Sequence, residues 1–169
     1  MADPGRAAVL VIGVGNELRG DDGAGIAAAR RLRRLAPPAW IDVEEEQNDT
    51  TGLLERWKGR DAVVLIDAVG PGSHPGKVTR LDASHEPLPV RLRVSSSTHA
   101  VGLEEAIELA RELGGLPGHV ILCTVEGCRF TAGEGLSEQV AAALPQLAGA
   151  ALAAAEELAQ SIGPPTGAQ

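Results

Sequence analysis

Val9-Leu10-Val11-Ile12-Gly13-Val14-Gly15-Asn16-Glu17-Leu18-Arg19-Gly20-Asp21-Asp22-Gly23-Ala24-Gly25 runs from an apolar stretch through a glycine-rich turn into an Ala-rich segment. From Ala8 to Val14 the chain is continuously apolar and mostly β-branched or Leu. Such runs belong to strands buried on both faces, as in parallel sheets covered by helices. The following Ala24–Leu35 sets Ile26, Leu32 and Leu35 towards one side, and Arg30, Arg31, Arg33 and Arg34 crowd its later turns. Basic residues late in a helix complement the macrodipole, and Pro37-Pro38 ends it.

The same alternation recurs outward from this stretch. Trp40–Glu46 predicts a second strand, and Thr50–Trp57, with Leu53, Leu54 and Trp57 at helical spacing, a short amphipathic helix. Ala62–Ile66 predicts another buried strand ended by Asp67, and Lys77–Leu81 a short one; Leu88–Val94 alternates enough to add an edge element. Ser95-Ser96-Ser97-Thr98 offers hydroxyl caps ahead of a helix through Leu103, Ile107, Ala110 and Leu113, which Gly114-Gly115 ends. Val120–Val125 is a further buried strand, and Leu136–Gln160 a closing helix that Pro145 should interrupt or bend. Strands alternating with helices predict a three-layer α/β sandwich around a mostly parallel, twisted sheet with right-handed crossovers.

Composition narrows the functional classes. The chain has 169 residues, 44% hydrophobic and 22% charged, which suits one globular domain, residues 1–161, with a flexible Gly/Pro-rich tail over 162–169. Trp40, Trp57 and Phe130 are the only aromatics, and the net charge is −8. Stacking platforms and phosphate-backbone binding both fit badly, so nucleic acid is not an expected partner. The N-terminus lacks a signal-peptide pattern, and no stretch offers the roughly 20 apolar residues of a membrane span. A cytoplasmic monomer without membrane insertion is the expectation. Cys123 and Cys128 are too few for a disulfide scaffold; Cys123, inside an apolar strand, reads as an inert buried thiol.

In open parallel sheets, ligands bind beyond the carboxyl ends of the strands. Three polar features fall there: the Gly15–Gly23 turn, Asp67, and His99 ahead of a helix. The turn is not a dinucleotide fingerprint, because Leu18 occupies the third glycine position and Asp21 and Asp22 would repel a pyrophosphate. Glu44, Glu45 and Glu46 lie near the spacing of a ribose-binding acid and keep a nucleotide reading open as a minor alternative. One of Asp21 and Asp22 is expected to cap the helix. Taken together, two carboxylates and an imidazole at the ligand-bearing edge suit an open metal site. His74 and His85 lie in Pro-containing loops, and His119 precedes its strand at the opposite edge.

The segment Val11–Gly25, with its G-x-G-N and D-D-G-x-G spacing, resembles the signature of the hydrogenase maturation endopeptidases. Val64-Leu65-Ile66-Asp67-Ala68, Ser97-Thr98-His99-Ala100-Val101-Gly102-Leu103 and Gly133–Val140 add matches in the family's order. The resemblance implies a five-stranded α/β sandwich with aspartic-type endopeptidase activity. The substrate it implies is the precursor of a [NiFe]-hydrogenase large subunit, which loses a C-terminal extension and is thereby activated. It further implies that Asp22, Asp67 and His99 are the catalytic and metal-contacting trio, the nickel being supplied by the substrate rather than held permanently. Where many members carry an Asp-Gly-Gly-Thr-like turn, this chain has Gln47-Asn48-Asp49-Thr50. These four, with Asn16 and Asp21, are the expected substrate-recognition residues. A non-catalytic metal-sensing or chaperone module for hydrogenase assembly would need the same trio and is the alternative.

Overall fold

The computed structural model describes residues 8–47, 49–89 and 102–163. The elements in chain order are β1 (Val9–Val14), a 3-10 turn (Gly20–Gly23), α1 (Ala24–Arg34), β2 (Ile41–Glu46), α2 (Thr50–Trp57), β3 (Ala62–Val69), β4 (Val78–Asp82), α3 (Leu103–Glu112), β5 (His119–Glu126) and α4 (Glu138–Ile162). The sheet order is β2-β1-β3-β5-β4, parallel throughout except for β4, which runs antiparallel to β5 at one edge. This is the predicted mostly parallel α/β sandwich.

Alternation along the strands builds the two outer layers. Val9, Val11, Val64, Ile66 and Val125 face α1 and α4, whose Ala28, Leu32, Leu147 and Ala151 are buried there. Leu10, Ile12, Leu65 and Leu122 face Leu53 and Trp57 of α2 and Ala106 and Ile107 of α3. With both faces covered, β1 and the first half of β3 have no exposed side chain to make polar, hence their unbroken apolar runs. The Ala-rich α4 lies close against the sheet because small side chains let its backbone approach.

Three details differ from the sequence expectation. Pro145 leaves α4 uninterrupted over all 25 residues. The carbonyl it leaves unpaired is that of Ala141, on the exposed side of the helix where water can take it. The helix also reaches Ile162, two residues past Gln160; the remainder of the expected tail, 164–169, lies outside the described residues. The N-cap of α3 is Gly102, without a side-chain bond, rather than a residue of Ser95–Thr98. Those four residues, and the expected edge element from residue 90 on, also lie outside the described residues, and Leu88 and Pro89 are not in a strand.

β2 is the other edge strand, and its acids are clamped by arginines. Arg60 holds Asp42, Arg56 holds Glu44 and Glu46, and Arg30 and Arg33 hold Glu45. The three glutamates that kept a ribose-binding reading open are thus engaged inside the domain. Among the described residues no helix is long and apolar enough to cross a membrane.

Candidate functional site

The glycines of the first turn act through close backbone approach. A Cβ on Gly25 would lie 2.3 Å from the carbonyl oxygens of both Val14 and Ile66, so α1 can start against β1 and β3 only with glycine there. Gly15, at φ +150°, turns the chain so tightly that a Cβ would meet the Asp22 carbonyl oxygen at 1.9 Å. The Asn16 N–H donates to that same carbonyl at 3.1 Å. The two contacts bring Asp22, in the 3-10 turn, and Asp67, next to Ile66 on β3, to one place at the carboxyl edge of the sheet.

Asp67 is half-buried near the end of β3. Burial, then the neighbouring negative charge of Asp22, and after it Glu104 of α3, push the Asp67 carboxyl well above the usual carboxylate range. The Ala68 N–H, donating to Oδ1 at 2.8 Å, opposes that shift without cancelling it. The charge of Asp22 is thus felt at Asp67, and neighbouring carboxylates of this kind favour a bound proton or a cation. Neither aspartate caps α1: its N-cap is Gly23, with no side-chain bond. His99 lies outside the described residues, and among the described residues no cluster of three His, Cys, Asp or Glu is set to hold a metal ion.

The Asp21 carboxylate is engaged by the segment that follows β5. Asp21 is fully buried, and its carboxylate accepts from the N–H groups of Cys128 (2.9 Å), Arg129 (3.0 Å) and Ser137 (2.7 Å) and from the Ser137 hydroxyl (3.0 Å). Burial alone would raise its pKa, but these donors outweigh it and hold the carboxyl below its ordinary value. The side chain expected at the substrate is therefore a tether between the first turn and the segment joining β5 to α4.

Of the recognition candidates, Asn16, Gln47, Asp49 and Thr50 follow the carboxyl ends of β1 and β2. Asn16 accepts from the Leu18 N–H at 2.9 Å, closing an Asx turn, and leaves Leu18 71% exposed at the loop apex. The loop is held by Glu17, which pairs with Arg30 at 2.7 Å. Gln47 is exposed after β2; Asp49 caps α2 by accepting from the Thr51 N–H at 3.0 Å, and Thr50 opens that helix. Asn48 lies outside the described residues. Cys123 is buried and its thiol is pushed up to about 11, mainly by burial, as expected of an inert core residue. Glu104 and Ser137 were not singled out in the sequence; Ser137 lay within the Gly133–Val140 match, whose order hinted at a role without identifying its partner.

Comparisons with known proteins agree with this fold. The family model described as hydrogenase maturation protease matches residues 45–154. The hydrogenase expression/formation protein HupD of Thiocapsa roseopersicina is 32% identical over 70% of this chain, which spans 53% of HupD's length. Protein FrxA of Pyrococcus furiosus is 31% identical over 75% of this chain and 90% of its own. Among solved structures, the hydrogenase maturating endopeptidase HybD from E. coli superposes with a TM-score of 0.71 at 27% identity, over 88% of this chain and 92% of that one. An endopeptidase from Escherichia coli solved in solution reaches 0.75 at 26% identity, over 90% and 93%. The chain belongs to the hydrogenase maturation protease family.

Proposed function

We propose that this protein is an endopeptidase that removes the C-terminal extension of a nickel-loaded [NiFe]-hydrogenase large-subunit precursor. The observation that carries the reading is the pairing of Asp22 with Asp67, close enough that the charge of one raises the proton affinity of the other. A divalent cation arriving with the substrate relieves that repulsion and favours the ionised form of Asp67. A metal ion beside a peptide bond polarises its carbonyl or delivers hydroxide, which links recognition of metal loading to cutting. In this reading His99 supplies the nitrogen donor, and Asp22, Asp67 and His99 contact nickel that belongs to the substrate. Asn16 and the Gln47–Thr50 turn set which large subunit is accepted, since loops on a rigid sheet edge commonly carry specificity.

The test is incubation of the purified protein with nickel-loaded and nickel-free precursor, followed by intact-mass measurement. Loss of a C-terminal peptide from the loaded form alone is the expected result. A stable complex with loaded precursor that is never cut would overturn the protease reading in favour of a metal-sensing chaperone.

A further inference from the structure

On the sheet face that carries Asp67, a groove of about 570 Å³ crosses β5 and β4, within the size range of ligand clefts. Its floor continues directly from the candidate site: in the sheet register Asp67 lies beside Thr124, and Thr124 beside Thr79. Val69 and Leu81 give it apolar patches, and the 70–73 loop forms one wall. Thr124 is 1% exposed and lines the floor of this groove. The rim carries one charge of each sign: Lys77, and Glu126, whose carboxylate accepts from the His74 N–H at 2.7 Å.

We propose that this groove is the channel in which an extended stretch of the precursor, flanking the scissile bond, lies during cleavage. The assignment rests on the endopeptidase reading above. An extended chain offers an N–H and a C=O at every residue, which suits a row of threonine hydroxyls beside the reacting centre. Its side chains meet Val69 and Leu81, and its polar groups meet Lys77 and Glu126 at the rim.

The experiment compares cleavage kinetics of the nickel-loaded precursor by wild type, Thr124→Val, Thr79→Val and Ser73→Trp, with a thermal melt for each. Thr124→Val keeps the side-chain shape while removing the hydroxyl, so its melting temperature should stay within a few degrees of wild type. Its KM should nevertheless rise about tenfold with kcat within about twofold, the effect of one lost hydrogen bond to substrate. Thr79→Val should act in the same direction, and Ser73→Trp, which narrows the groove from its exposed wall, should raise KM by at least as much. Wild-type KM in all three variants, or a fall in kcat with KM unchanged, overturns the groove assignment while leaving the protease reading intact. Failure of the wild type to cut the loaded precursor overturns the protease reading itself.

Discussion

Ser137 donates both its backbone N–H and its hydroxyl to the carboxylate of Asp21, at 2.7 and 3.0 Å, across 116 positions of sequence. The same hydroxyl accepts from the Val140 N–H and so caps α4. One buried carboxylate thus fixes the start of the longest helix to the turn that holds Asp22.

Asp21→Ala should therefore be a stability variant before it is an activity variant. It leaves the N–H groups of Cys128, Arg129 and Ser137 without their acceptor, a loss of about 3 kcal/mol or more. For a domain of this size that corresponds to a melting temperature lower by roughly 6–12 °C. The pH dependence has a definite sign. A carboxylate whose pKa is lowered by folding contributes fully above its unfolded value of about 3.9 and loses that contribution as pH falls through the folded value. The gap between wild type and Asp21→Asn should accordingly narrow in acid. A gap that is constant from pH 7 to pH 3 would contradict the tether role.

Asp67 carries the opposite sign. Burial and the Asp22 charge raise its pKa, so at neutral pH its ionised form opposes folding, and the penalty fades as pH falls through the raised value. Asp67→Asn removes that penalty and keeps an oxygen for the Ala68 N–H. We expect the variant to melt higher than wild type at pH 7, with the difference shrinking as the buffer is acidified, and to lose precursor cleavage. A lower melting temperature at pH 7 would show that the carboxylate is tied down by favourable bonds instead.

What was legible in the sequence follows from the range of the forces involved. β1, β3 and β5 announce themselves because a strand covered on both faces must be apolar at consecutive positions, as Val9–Val14 and Val120–Cys123 are. Asp22 and Asp67 could be placed at one sheet edge from the sequence because strand ends define that edge whatever the details of packing. The role of Asp21 was not legible, because all its donors lie more than 100 residues away and nothing local distinguishes it from Asp22. The uncapped start of α3 was missed for a related reason. Leu103, Ala106, Ile107 and Ala110 bury one face of that helix, and their packing makes a side-chain cap dispensable.

The Gln47–Thr50 turn offers a specificity test that spares the fold. Converting it to Asp-Gly-Gly-Thr changes Gln47, Asn48 and Asp49 and keeps Thr50. Replacing the Asp49 cap by glycine costs only a few tenths of a kcal/mol, so α2 should persist. With two large-subunit precursors in competition, the swapped variant should shift the ratio of their cleavage rates while its melt stays within about 2 °C of wild type. An unchanged ratio would remove this turn from the recognition surface.

The sharpest test of the proposed trio combines Asp22→Asn and His99→Ala. Asp22 is half-buried, and α1 begins at Gly23 without a side-chain cap. Asparagine preserves size and much of the hydrogen bonding, so Asp22→Asn should change stability by less than about 1 kcal/mol. It also removes the negative charge that raises the Asp67 pKa, and with it half of the electrostatic attraction for a divalent ion. Cleavage of nickel-loaded precursor should be abolished or fall by orders of magnitude while the melt stays close to wild type. His99→Ala should behave in the same way if the imidazole supplies the nitrogen donor to the substrate's metal. A melt and a cleavage assay on each variant decide the matter. Near-normal processing by both, with the fold intact, would show that the carboxylate pair is a structural accident of the glycine turn and that metal recognition lies elsewhere.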